Sequence, residues 1–485
     1  MSEKTGNLNF MRSDIIELTS LYLYITRMEN NMTQGSPLKL ILGFTLPTFI
    51  GNIFQQLYLM ADTLIVSRLL GVEALAAVGA VSGYSFMVTG FAQGLTMGFT
   101  AIIAQRYGAG DSSGMRKAYT NGTILSLAMS IIVAAVFALF SKPLLELINT
   151  PTDIIDMANS YIIIIYIFLI CSVMYNFYAG VLRSLGDSRS PLIFMIISAV
   201  LNIVLDIVSI IYFGWGVAGA AAATVFSQGV AAVLSFIYIK RKYTIFHSSK
   251  EEWQFDPSLS RTLLGVGMPG AVMFSITAIS VIVVQMALNA FGSESVAAYS
   301  CANKIETIVT QFYPSLGLAV SSYASQNLGA GKIERIRKGF RLAVYIEIAY
   351  SVFGLLMCNI LARPCTYIFI DNIPENASII EESVLYVKTM GWFFIPLGSI
   401  FIFRTGSQGL GSGKIPLLSS VIELTARIAT AFSMTYLFGF FGICLSNATS
   451  WICAGSILPF VYLRYIKSIE RKHGKSDVSS SIKVK

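Results

Sequence analysis

Charge is scarce in this chain: Lys, Arg, Asp and Glu together make up 12% of 485 residues, roughly half the share found in a soluble globular domain. A chain so poor in charge cannot clothe itself for water. Histidine occurs only twice, and the six cysteines sit in or beside apolar stretches without paired spacing. A disulfide framework and a thiolate or imidazole zinc site are thereby excluded. The sequence also lacks a Gly-x-x-x-x-Gly-Lys-Ser/Thr phosphate loop, a His-Glu-x-x-His motif and paired Asp-rich motifs. ATP-driven pumping, membrane proteolysis and prenyl transfer therefore have no machinery here. The expectation is a protein that is not an enzyme and has no cofactor.

What abounds is apolar: hydrophobic residues make up 55% of the chain and its mean hydropathy is +0.68. About 20 apolar residues in a helix cross a bilayer, and twelve such stretches occur, at 38–67, 74–104, 120–140, 158–181, 192–212, 216–239, 262–290, 296–325, 341–362, 384–407, 416–437 and 441–464. Backbone amides in lipid must be satisfied internally, and runs of this length without strict alternation read as helices rather than barrel strands. The predicted class is an all-α polytopic membrane protein with 12 transmembrane helices. Twelve spans put both termini on one side. The joints and tails of that side hold 27 Lys and Arg, Arg183 and Arg189 among them, against only Arg68, Lys142, Arg363 and Lys388 in the opposite joints. This bias predicts cytoplasmic termini in a multi-pass plasma-membrane protein. The net charge of +8 then marks orientation and contact with lipid headgroups, and no nucleic-acid partner is expected.

The chain also repeats itself. Gln105-Arg-Tyr-Gly-Ala-Gly110 returns as Gln326-Asn-Leu-Gly-Ala-Gly331, shifted by 221, and Pro47 matches Pro269, shifted by 222. Arg183-Ser-Leu-Gly186 with Pro191 matches Gln408-Gly-Leu-Gly411 with Pro416, shifted by 225. Two homologous six-helix units follow. An even number of spans per unit makes the repeats parallel, which in secondary transporters places a substrate cavity between the halves. The expected organisation is an N-terminal extension, weakly ordered, over 1–32, a first lobe over 33–240, a cytoplasmic linker over 241–261, a second lobe over 262–465 and a basic tail over 466–485. The apolar piece from Ile15 to Ile25 is too short to cross a membrane, and Met32 reads as a natural start.

The doubled Gln-x-x-Gly-Ala-Gly motif, the Arg183 and Gln408 motifs, and the run Asn202-x-x-x-Asp206 followed by Gly216-x-x-Gly219-Ala-Ala-Ala-Ala-Thr224 together resemble the multidrug and toxic compound extrusion (MATE) family of cation-coupled efflux transporters. The resemblance spans about residues 36–465. It implies V-shaped lobes, alternating access, and export of cationic lipophilic compounds in exchange for Na⁺ or H⁺. The alternative is a lipid-linked saccharide flippase or polysaccharide exporter of the same superfamily, a class that often has two extra helices or a markedly basic cavity. A monomer is expected, with membrane lipids and small molecules as its partners.

Ionisable residues at the bilayer centre cost about 2.5–3.5 kcal/mol on insertion scales, so each needs a partner or a purpose. Asp62 lies in span one, Asn202 and Asp206 share one face of span five, and Thr224 adds a hydroxyl from span six. These are hard oxygen donors suited to an alkali cation. The resemblance implies that they form the cation-coupling site, taking Na⁺ or H⁺. The repeat predicts that this site is one-sided: Asp206 maps to Ala431, Asn202 to Arg427 and Asp62 near Val283. In the second half Glu423 and Arg427, four apart, are expected to form a structural ion pair. Arg404 is expected to snorkel toward the Gln408 turn, and Glu306 is a candidate substrate or gating residue.

Overall fold

The computed structural model describes residues 31–147, 150–246 and 250–482; residues 1–30 of the expected extension, with Ile15 to Ile25, lie outside them. The first half comprises α1 (Pro37–Leu70), α2 (Val72–Gly108), α3 (Ser112–Leu139), the short α4 (Ser141–Leu147), α5 (Ile155–Ile167), α6 (Leu169–Ser184), α7 (Arg189–Ile207), which ends in a π turn over Val208–Tyr212, and α8 (Gly216–Lys242). The second half comprises α9 (Pro257–Asn289), α10 (Ser293–Thr310), α11 (Phe312–Gly329), α12 (Ile333–Thr366), α13 (Ala377–Gly391), α14 (Phe394–Gly409), α15 (Lys414–Phe438) and α16 (Phe440–Ile482).

Among the described residues nine helices are long and apolar enough to cross a membrane, and eleven spans result if each of two bent pairs counts as one. The bent pairs are the fourth and tenth expected spans, with bends of 47° between α5 and α6 and 55° between α13 and α14. The bends fall at Phe168 and beside Phe393. These positions are 225 apart, the later repeat shift, so the repeat extends from motif to backbone geometry. The eighth expected span is the α10–α11 pair, broken at Gln311. Its Lys304, Glu306, Gln326 and many serines make it too polar to stand out by hydropathy.

Packing repeats as well: α2 lies on α6 as α11 lies on α14, and α7 lies on α8 as α15 lies on α16. Apolar side chains such as Leu64, Val200, Val204, Phe226, Val352 and Phe432 point outward, as a lipid-facing surface requires. In lipid, helix association relies on close packing and interhelical hydrogen bonds rather than on burial from water. The seam between the halves follows this rule. Each half sends the start of its first helix into the other's core: Ile41 and Phe44 of α1 sit in the second-half core, while Leu263, Val266 and Ala271 of α9 sit in the first-half core.

At the end bearing the basic joints, the doubled Gln-x-x-Gly motif closes this seam. Gln105 donates to the Gly409 carbonyl at 2.8 Å, and Gln326 donates to the Ser184 carbonyl at 2.8 Å. A Cβ on Gly108 would stand 2.0 Å from the Gln326 carbonyl oxygen, and one on Gly329 would stand 1.8 Å from that of Gln105. Only glycine permits this approach. Segment 32–35 lies across the same end, with the Met32 amide donating to Gln326 and Arg335 reaching the Met32 and Gly35 carbonyls. Between the halves, the linker residues Glu252, Gln254 and Asp256 dock on α3: Arg116 donates to both carboxylate oxygens of Glu252, and the Asn121 side chain donates to the Gln254 carbonyl and accepts from the Asp256 amide.

Candidate functional site

In the first half, three helices bring the four expected oxygen donors together. Asn202 and Asp206 lie one turn apart on the inner face of α7, and the Asn202 amide donates to Asp206 Oδ1 and to Thr224 Oγ1 of α8, both at 3.4 Å. Asp62 of α1 lies beside Asp206. Asp62, Asn202 and Asp206 are buried, Asp206 completely. Asp62 Oδ1, Asn202 Oδ1 and Asp206 Oδ2 have no hydrogen-bond partner. Buried acceptors without donors are costly, and three in one cluster form a site that a proton or a small hard cation would satisfy. Carboxylates and an amide carbonyl suit Na⁺, whereas the thiolate or imidazole sets of transition metals are absent: among the described residues no group of three or more His, Cys, Asp or Glu is placed to hold a metal ion.

A surrounding shell went unread in the sequence. Tyr58 precedes Asp62 by one turn and reaches Gln228; Gln228 follows Thr224 by one turn and accepts from Ser172. The four-residue spacings of Tyr58 to Asp62 and of Thr224 to Gln228 were the available signal. Tyr161 of α5 also faces the acidic pair, and no local pattern announces it. A cavity of about 920 Å³, lined by apolar residues including Phe168, Phe213, Trp215 and Phe226, flanks this half. Exposed Phe168, Phe213, Trp215 and Phe226 side chains mark it as lipid-facing surface.

The second half holds no such cluster, and here the structure corrects two expectations. Glu423 does not pair with Arg427. It accepts from Arg404 at 3.2 Å and from Ser419 at 2.9 Å, because the mostly buried Arg404 turns across to the neighbouring helix instead of snorkelling. Arg427 donates instead to Ser280 of α9 at 2.7 Å and to Ser450 of α16 at 3.0 Å. The (i, i+4) rule describes an isolated helix surface, and here cross-helix partners compete successfully. Glu306 is buried and accepts from Tyr386 at 2.8 Å, whose hydroxyl also receives the Asn447 amide at 3.0 Å. That satisfied network sits beside Arg427. Glu347, fully buried, accepts from Ser351 at 2.9 Å within the second half.

A third correction concerns Arg183, which composition assigned to a surface joint. Its side chain lines a small polar cavity between the halves instead.

Residues 47–208 and 269–433 match the MatE family. The two matched segments begin 222 residues apart and end 225 apart, the shifts that separate the repeated motifs. A Bacillus subtilis protein described as "Probable multidrug resistance protein YpnP" is 30% identical over 441 residues, covering 90% of this chain and 96% of the relative. A "FAD transporter" of Shewanella oneidensis is 25% identical across 80% of this chain and 84% of its own length. A solved structure described as an outward-facing multidrug resistance MATE family transporter superposes with a TM-score of 0.85 at 22% identity, covering 92% of this chain and 99% of that one. The shared fold has twelve spans in two six-helix repeats, the α10–α11 pair being the span that hydropathy alone does not count.

Proposed function

This chain belongs to the multidrug and toxic compound extrusion family of membrane transporters, and from that premise we propose that it is a secondary antiporter exporting cationic or lipophilic compounds in exchange for inward Na⁺ or H⁺. The observation that carries the reading is the buried cluster of Asp62, Asn202, Asp206 and Thr224 with its three unpartnered oxygens. Two facing carboxyls repel when both are ionised, and a proton or Na⁺ between them removes the repulsion. The cluster ties α1 to α7 and α8, while the start of α1 is embedded in the second-half core through Ile41 and Phe44, and Asn52 of the same helix donates to Ser315 at 3.0 Å. Cation occupancy at Asp62 can therefore bias the seam between the halves, provided that the cation binds the two orientations unequally. With the basic end cytoplasmic by the positive-inside rule, the conformation described is sealed on the cytoplasmic side.

The test is ethidium export by proteoliposomes under separately imposed Na⁺ and H⁺ gradients. Export driven by one of them and lost in Asp206→Asn supports the reading. Export indifferent to both gradients removes it.

A further inference from the structure

Among the described residues, Arg183, Arg404 and Arg427 lie within the membrane-spanning packing, and two of these have partners: Arg404 has Glu423, and Arg427 has Ser280 and Ser450. Arg183 has none. Among the described residues its guanidinium makes no hydrogen bond and no ion pair, and its Nε is buried. The titratable group beside it is the Tyr175 hydroxyl, which is neutral at physiological pH. The cavity it lines, about 50 Å³, is walled by Gln93, Thr100 and Asn176 from the first half and by Ser322 and Ser325 from the second. No carboxylate is among its lining residues.

A guanidinium does not give up its charge in a protein, and its planar fork matches the two oxygens of a carboxylate or phosphate. Partly exposed and faced by hydroxyls and amides that can donate as well, it presents a positive charge that no described residue compensates. The position is also mechanical. Ser184, next in sequence, lines the same cavity, and its carbonyl holds Gln326 in the seam. The cavity thus sits directly on the seal, and Gln93, which also lines it, is exposed. Its walls come from both halves, so parting them would dismantle it, and a ligand there would bind one orientation better than the other.

We propose that Arg183 and the polar side chains facing it form an oxyanion subsite at the floor of the cavity between the halves, and that transported compounds include amphiphiles bearing a carboxylate or phosphate. This rests on the export reading above and extends its substrate class from cationic and lipophilic compounds to anionic amphiphiles. The experiment uses the purified full chain in detergent and two fluorescent probes that share a ring system, riboflavin and flavin mononucleotide, which differ by a phosphate. The wild type is expected to bind the phosphorylated probe about tenfold more tightly, with inorganic phosphate competing. Arg183→Gln should bring the ratio to about one, and Arg183→Lys, which keeps the charge but loses the fork, should fall between. Equal affinities in the wild type, or a ratio unchanged in Arg183→Gln, overturn the proposal. Should Arg183→Gln fail to fold, the wild-type ratio and the phosphate competition decide. Gradient-driven ethidium export without a preference for the phosphorylated probe defeats the subsite and leaves the export reading standing, whereas export of none of the three compounds under any gradient defeats that reading itself.

Discussion

The two halves share a backbone plan and differ in how they handle charge. Spans bend at equivalent places in both, and the Gln-x-x-Gly motifs cross the seam reciprocally. Yet the first half gathers Asp62 and Asp206 into one cluster with three oxygens left without donors, while the acids of the second half stand apart, each with a donor: Glu306 takes Tyr386, Glu423 takes Arg404 and Ser419, and Glu347 takes Ser351 on one oxygen and leaves the other unpartnered. Duplication supplied the same scaffold twice. On the proposed reading, the chemistry that responds to a cation lies in the first copy, and the second serves as the structural counterpart against which it moves.

The difference can be broken most severely at Asp206. Replacing it by Asn should reduce gradient-driven ethidium export to the level of empty proteoliposomes, with insertion judged by gel filtration unchanged, whereas Glu306→Gln should leave the coupling ratio intact. A next-largest effect is expected in the second half, on stability and not on coupling. Glu423→Gln strips the mostly buried Arg404 of its counter-charge and should cost about 2 kcal/mol, less than the full penalty for a buried pair because some solvent reaches both groups; a lower melting temperature in detergent with unchanged ion dependence is the expected readout. Gly329→Ala sharpens the comparison at the seam. The added methyl cannot coexist with the Gln105 carbonyl, so cysteine pairs placed across that end should cross-link several-fold more slowly, and Gly108→Ala should do the same if the seam is reciprocal. Thr224→Val is expected to act least, weakening the apparent affinity for the coupling cation a few-fold with maximal rate preserved, as measured by titrating the ion.

Hydropathy made the spans legible, and self-comparison made the repeat legible, because both depend on local composition and fixed spacing. The four donors of the first half could be nominated for the same reason: Asn202 and Asp206 are one turn apart, and an ionisable group in an apolar run announces itself. What was not legible depends on which helix lies next to which. Arg404 and Glu423 are 19 residues apart and meet only because α14 and α15 pack together, so the nearer Arg427 was the natural but mistaken partner. Arg183 sits at the end of a span, where composition cannot tell a residue pointing toward headgroups from one pointing between the halves. The Gln-x-x-Gly-Ala-Gly motifs stand out in the sequence only as a repeat, and their glutamines and first glycines form the seam itself. Tyr161 belongs to a helix with no sequence link to the acidic pair it faces.

Whether one half alone carries the coupling is decided most directly by cation binding to the purified protein, followed as radioactive sodium bound at equilibrium and as protons released on adding sodium or ethidium. One cation equivalent per chain, bound or exchanged for a proton, is predicted for the wild type and for Glu306→Gln, and none for Asp62→Asn or Asp206→Asn. A full equivalent retained in Asp206→Asn, or lost in Glu306→Gln, would contradict the account.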